Sequence, residues 1–158
     1  MAIAASMAIF RFSMRTLAID LGARRTGLAL SDAGGKLATP YDVLQVPAPQ
    51  ALELILKVIK TEDVERIVVG LPLNMDGTRG PAAEQAVEFG RQLAARSSQK
   101  VIFVDERLSS FQAEQDVSAR RRGGEKITRK GKKQRLDAIA AAQFLQEFLD
   151  GKLAAIDG

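Results

Sequence analysis

The feature that most constrains this chain is a change of rhythm near Pro47. Before it, three strand-like runs follow one another with only turns between them; after it, strands alternate with helices. Thr16–Asp20 (TLAID) is a short apolar run ending in an acid and reads as a buried strand. Gly22 and Arg24-Arg25 turn the chain into Gly27–Ser31 (GLALS), so these two strands form a hairpin. Gly34-Gly35 turns it again, and a third strand falls within Leu37–Val46. Connections this short allow only antiparallel neighbours, because a parallel pair needs a long crossover.

Beyond Pro47 and Pro49, the residues Leu52, Ile55, Leu56 and Ile59 recur at helical spacing. Arg66–Gly70 (RIVVG) is a fourth strand, and Leu71–Gly80 is a loop rich in turn residues. Pro81 opens a helix that runs to about Ala95. Lys100–Asp105 (KVIFVD) is a fifth strand, and Ser109 caps a short helix to about Ala119. Leu136–Leu149 is a final amphipathic helix stopped by Gly151. Strands that alternate with helices lie parallel and covered on both faces. The expected fold is therefore α/β: a mixed five-stranded sheet, three antiparallel strands and then two parallel ones, with helices on both faces. That arrangement is the ribonuclease H-like fold. Residues 14–151 read as one domain, 1–13 as a disordered extension and 152–158 as a tail. No apolar run reaches the 18 or more residues of a membrane span. Met1–Phe10 lacks the basic leader and the cleavage site of a signal peptide, so the expected location is cytoplasmic.

The chain has no His and no Cys. Thiol nucleophiles, thiolate zinc sites and every His-dependent triad are thereby excluded. An enzyme built from these residues works with carboxylates, Lys, Arg, hydroxyls and backbone. A metal would take oxygen ligands, which favours Mg²⁺ or Mn²⁺.

The charge is concentrated. Between Ser118 and Arg135 stand Arg120, Arg121, Arg122, Lys126, Arg129, Lys130, Lys132, Lys133 and Arg135, opposed only by Glu125. This segment carries Gly123, Gly124 and Gly131 with Ile127 as its one large apolar residue, so it reads as a mobile loop that cannot bury enough surface to order itself. The whole chain is only +4, so the remainder is net acidic. A polybasic segment of this kind suits a polyanion, and nucleic acid is the leading candidate.

Acids stand at three places where chemistry could occur. Asp20 ends the first strand, just before Gly22 frees the turn. Asp105 and Glu106 follow one another at the end of the fifth strand, where a period of two sends them to opposite faces. Asp137 precedes Ala140, Ala141, Phe144 and Phe148 on the inward stripe of the last helix. Each has a bland reading: a turn acid, a strand-end ion pair with Arg107, a first-turn acid favoured by the helix dipole. Together they would form a cluster at the carboxyl ends of parallel strands, where open α/β sheets place their sites. Like charges about 4 Å apart repel by roughly 4 kcal/mol at an effective dielectric near 20, so such a cluster holds protons or a cation.

The segments AIDLGARRTGLALSD, IVVGLPLNMDGT, DERLSS and KKQRLDAIAAAQFLQEFL, in this order, resemble the YqgF (RuvX) family. Its members are called Holliday junction resolvase-like proteins or pre-16S ribosomal RNA nucleases. The resemblance covers about Met14–Leu149. It implies a ribonuclease H-like fold and a metal-dependent endonuclease that matures the 5′ end of 16S ribosomal RNA, acting on the precursor or the small ribosomal subunit. By motif it places the catalytic and metal-binding acids on Asp20, Glu106 and Asp137, and it alone prefers Glu106 to Asp105. The related RuvC resolvases carry an acid near the end of the fourth strand, where this chain has Gly70-Leu71-Pro72-Leu73-Asn74. A Holliday junction resolvase and a non-catalytic RNA-binding ribosome-assembly factor are the alternatives. The actin–hexokinase–chaperone ATPases open with a similar hairpin, but they have a second domain and an adenosine motif that this chain does not show.

Overall fold

The computed structural model describes residues 14–107 and 136–158 with their side chains, and the backbone of residues 108 and 129–135. Its elements are β1 (Thr16–Leu21), β2 (Thr26–Ser31), β3 (Ala38–Leu44), α1 (Ala48–Thr61), β4 (Arg66–Leu71), α2 (Pro81–Ser97), β5 (Lys100–Asp105), a 3₁₀ turn (Glu106–Leu108), α3 (Arg129–Leu149) and β6 (Ala155–Ile156). The sheet order is β3-β2-β1-β4-β5-β6. β1–β2 and β2–β3 are antiparallel, and β1–β4 and β4–β5 are parallel.

The expected mixed sheet is present, with six strands instead of five. Ala155–Ile156, placed in a tail by the sequence pattern, pairs antiparallel with Phe103 and Val104 of β5, and Leu153 beside it is buried. Two residues carry no readable alternation, so only their neighbours reveal this strand. The last helix starts at Arg129, not Leu136, so the basic segment is helical over its final residues. Arg, Lys and Gln are good helix formers, and they outweigh the single Gly131 once an apolar helix follows to propagate from. The extension of residues 1–13 and the helix expected over Ser109–Ala119 lie outside the described residues.

The two sheet faces differ in side-chain size, and this sets how closely helices approach. Leu17, Ile19, Leu28, Leu30, Ile67, Val69 and Leu71 point to one face and pack with Leu52 and Ile55 of α1 and Val87, Phe89 and Leu93 of α2. Ala18, Ala29, Val68 and Val104 point to the other, against Ala141, Ala142, Phe144 and Leu145 of α3. The small residues let α3 lie almost on the sheet. A Cβ placed on Gly27 would stand 2.2 Å from the carbonyl oxygen of Asp137, so only glycine admits the helix backbone there.

Candidate active site

β1, β4 and β5 run in parallel, and their carboxyl ends form one rim. Asp20 shares the face of Ala18 because strand side chains alternate, so it projects toward α3. Its partner across the hairpin is Gly27, the residue on which the Asp137 backbone rests. The close approach of helix to sheet therefore brings Asp137 to Asp20. On the other side, Glu106 leaves the end of β5 in the 3₁₀ turn, and its carboxyl carbon lies 3.6 Å from the position a Gly70 Cβ would take. Gly27 thus lets the helix that carries Asp137 close on the sheet, and Gly70 leaves room beside Glu106 and the Phe144 ring.

The acids act on one another electrostatically. Burial, the charge of Glu106, a hydrogen bond to Glu106 and the charge of Asp137 together hold the Asp20 carboxyl well above the usual range. Burial also raises Glu106, reinforced by the charges of Asp137 and Asp105, while the hydrogen bond from Asp20 works the other way. Both carboxyls are therefore pushed toward the protonated form in the absence of a cation. Asp137 pairs with Arg25 of the β1–β2 turn, Nε to Oδ2 at 3.1 Å. Asp20 and Glu106 line a cleft of about 550 Å³ with Gly22, Pro72, Leu73 and Arg107. A second cavity, of about 680 Å³, lies between α1 and α2 near Lys60 and Arg96, away from all three acids.

Asp105 is not part of the cluster. It is buried, and Arg107 binds it through the backbone N–H and Nε to Oδ1 at 3.0 and 3.1 Å, and through Nη2 to Oδ2 at 2.7 Å. Those bonds hold its carboxyl below the usual range. The strand-end ion pair thus belongs to Asp105, and Glu106 turns to Asp20. The strand ends at Asp105, so the turn, not the period of two, separates the neighbours. Asp137 lies eight residues past Arg129, beyond the first helical turn, so the helix dipole does not account for it. Asn74 and Asp76, in the loop where RuvC carries an acid, are bonded to Thr78. Arg107, which the sequence offers as the ion-pair partner at this strand end, is the cation among the described residues that line the cleft.

Among the described residues, no group of three or more acids stands close enough together to hold a metal ion as placed. The donor set nonetheless fits a hard divalent cation. Asp20 and Glu106 line one cleft, each raised by burial and by the charge of Asp137, and no lysine or arginine is bonded to either among the described residues.

Of the basic residues, Arg120, Arg121, Arg122 and Lys126 lie outside the described residues. Arg129, Lys130, Lys132, Lys133 and Arg135 stand on the first turns of α3, the helix that also carries Asp137.

A sequence model of the RuvX family, described as Holliday junction resolvase, matches residues 14–151. A protein of Anaeromyxobacter sp. (strain K) named "Putative pre-16S rRNA nuclease" is 42% identical over 138 residues, 87% of this chain and 97% of its own length. Proteins of the same name from Syntrophomonas wolfei (40% identity, 87% of this chain, 95% of the relative) and Bacillus thuringiensis (36%, 88% and 100%) match equally broadly. Among solved structures, RuvC of T. thermophilus, in complex with a Holliday junction substrate, superposes with a TM-score of 0.57. It is 18% identical and covers 90% of this chain and all of that one, which shows a shared fold. With the family model spanning nearly all of the described sheet and relatives this similar along almost their whole length, the chain belongs to the RuvX family.

Proposed function

We propose that this protein is a metal-dependent endonuclease that hydrolyses phosphodiester bonds in the 5′ maturation of pre-16S ribosomal RNA, in the cytoplasm. The observation that carries the reading is the convergence of Asp20, Glu106 and Asp137 from β1, the turn after β5 and α3 at the open rim of the parallel strands. The names of the relatives supply the substrate.

Asp20, Glu106 and Asp137 would hold Mg²⁺ or Mn²⁺. When bound, such a cation polarises the phosphate and makes water nucleophilic near neutral pH. The residues themselves do the rest. Asp20 and Glu106 would present carboxylate oxygens into the cleft. Arg25 balances the charge of Asp137. The basic residues from Arg120 to Arg135 supply phosphate contacts, and α3 sets their last members on the same helix as Asp137.

The test is incubation of the purified protein with a 16S precursor transcript in Mg²⁺, in Mn²⁺ and in EDTA, beside the Asp20→Asn variant. Cleavage that needs the cation and Asp20 supports the reading. Cleavage in EDTA ends the metal mechanism. Tight RNA binding with no cleavage under any condition makes the protein an RNA-binding assembly factor, and cleavage of four-way DNA junctions alone makes it a resolvase.

A further inference from the structure

The exposed loop between β4 and α2 is braced by hydrogen bonds within itself and from Arg107. Asn74 N–H donates to the Thr78 carbonyl at 2.8 Å, and Gly77 N–H returns to the Asn74 carbonyl at 2.9 Å. Asn74 Nδ2 donates to Thr78 Oγ1 at 3.0 Å, while Asp76 Oδ1 accepts from the Thr78 N–H and hydroxyl at 3.0 and 2.6 Å. Gly77 holds φ at +84°, which closes the turn. From outside the loop, Arg107 Nη1 donates to the carbonyls of Asn74 and Met75 at 2.7 and 2.9 Å. Its Nε and Nη2 are fixed on the buried Asp105. One guanidinium therefore ties the tip of the loop to the end of β5.

The residue held at that tip is Met75, and it is 98% exposed. Single exposed apolar side chains are ordinary on a protein surface. Here the hydrogen bonds hold the backbone that carries it, so the thioether projects from a fixed point. The loop also borders the acid cleft, which Pro72, Leu73 and Arg107 line together with Asp20 and Glu106.

We propose that this loop is a rigid contact arm of the cleft, in which Arg107 is a positioning residue and Met75 packs on a nucleobase of the bound strand. The proposal rests on the nuclease reading for its ligand. A base face suits the tip because it is flat, largely apolar and polarisable, as a thioether is. Such a contact would add affinity without neutralising a phosphate.

The experiment measures binding of a fluorescent RNA oligonucleotide copied from the 5′ flank of the 16S precursor, in EDTA, over a range of salt. Met75→Ala should weaken binding about 2- to 10-fold, the range of a thioether–aromatic contact. The melting temperature and the slope of log K against log salt should not change, since no counterion is released there. Met75→Phe should restore affinity. Arg107→Lys, which cannot fork between Asp105 and two carbonyls, should speed amide exchange over residues 74–78 and weaken binding similarly. Adding Met75→Ala to it should then cost little more, as expected for two residues acting as one unit. Unchanged affinity in Met75→Ala, or a shallower salt slope, overturns the base contact. Unchanged exchange in Arg107→Lys overturns the brace. A wild-type protein that binds no RNA or DNA removes the nuclease reading itself, and this proposal with it.

Discussion

Arg25 and Asp137 meet across the open end of the sheet, the guanidinium Nε 3.1 Å from the carboxylate Oδ2. The bridge joins the β1–β2 turn to α3, and both side chains remain about a third exposed. Its contribution to stability is accordingly small, about 0–1 kcal/mol. Its larger consequence is electrostatic, because a fixed positive charge beside the acid cluster opposes a second cation. Arg25→Gln should leave the melting temperature nearly unchanged and tighten Mn²⁺ binding several-fold by calorimetric titration. Equal or weaker Mn²⁺ affinity would show that Arg25 does not compete for the cluster.

Asp20 makes the cluster visible in a pH profile of the metal-free protein. Its carboxyl is raised by burial first, then by Glu106 and Asp137. A raised acid keeps a proton in the folded state that the unfolded chain releases at an ordinary Asp value of about 3.9. The associated stability is full below that value and is lost as pH rises through the raised one. Wild type in EDTA should therefore lose melting temperature from mildly acidic pH toward neutral. Asp20→Asn should flatten this decline and melt higher than wild type at pH 7, with the gap closing in acid. Mg²⁺ at neutral pH should raise the melting temperature of wild type more than that of the variant. A parallel decline in both proteins would separate Asp20 from the cluster.

Asp105 should show the opposite sign. Arg107 holds its carboxyl below the usual range, so its stabilisation is present above the unfolded value and disappears as pH falls through the folded one. Asp105→Asn should melt below wild type at neutral pH and converge with it in strong acid. Neighbouring acids with opposite pH signatures would separate the brace from the acid cluster. The same signature in both variants would contradict the division seen between Arg107 and Asp20.

Much of this arrangement is legible in the residues because local rules and the fold agree. Short turns at Gly22 and Gly34-Gly35 force antiparallel neighbours, and the alternation after Pro47 forces parallel ones. Asp20 is readable because the apolar run of β1 turns acidic at it, one residue before the strand ends. The choice between Asp105 and Glu106 is not, since it depends on a 3₁₀ turn that begins one residue after the strand and on carbonyls of a loop 32 and 33 residues away. β6 is hidden for a similar reason, as its two residues become a strand only against β5. The early start of α3 escapes a reading by charge density, which favours disorder from Arg129 to Arg135, although those residues are good helix formers.

The basic segment offers a test that needs no cleavage. Replacing Arg120, Arg121 and Arg122 with Ala should weaken RNA binding across sequences. The salt slope should become shallower by about 0.7–0.9 for each phosphate that the protein no longer neutralises. Fluorescence titrations at several salt concentrations measure both. An unchanged slope and affinity would place the phosphate-binding surface elsewhere.

Gly27 is where fold and site depend on the same atoms. It pairs with Asp20 across the hairpin, and α3 rests on it so closely that an added Cβ would meet the carbonyl oxygen and carbon of Asp137 at 2.2 and 2.4 Å and the nitrogen of Ala138 at 3.0 Å. These are backbone atoms, so no side-chain rotation relieves the clash. Gly27→Ala must therefore move the helix, the strand or both. Overpacking of this kind costs about 1–3 kcal/mol, and in a chain of this size each kcal/mol lowers the melting temperature by roughly 2–4 °C. The loss at the site should be larger than the loss of fold, because the displacement acts directly on the residue carrying the third carboxylate. At a temperature where the variant is still folded by circular dichroism, Mn²⁺ affinity and precursor cleavage should both fall well below wild type. A folded Gly27→Ala protein with undiminished Mn²⁺ binding would show that the close seat of α3 serves packing alone, and that Asp137 does not belong to the cation site.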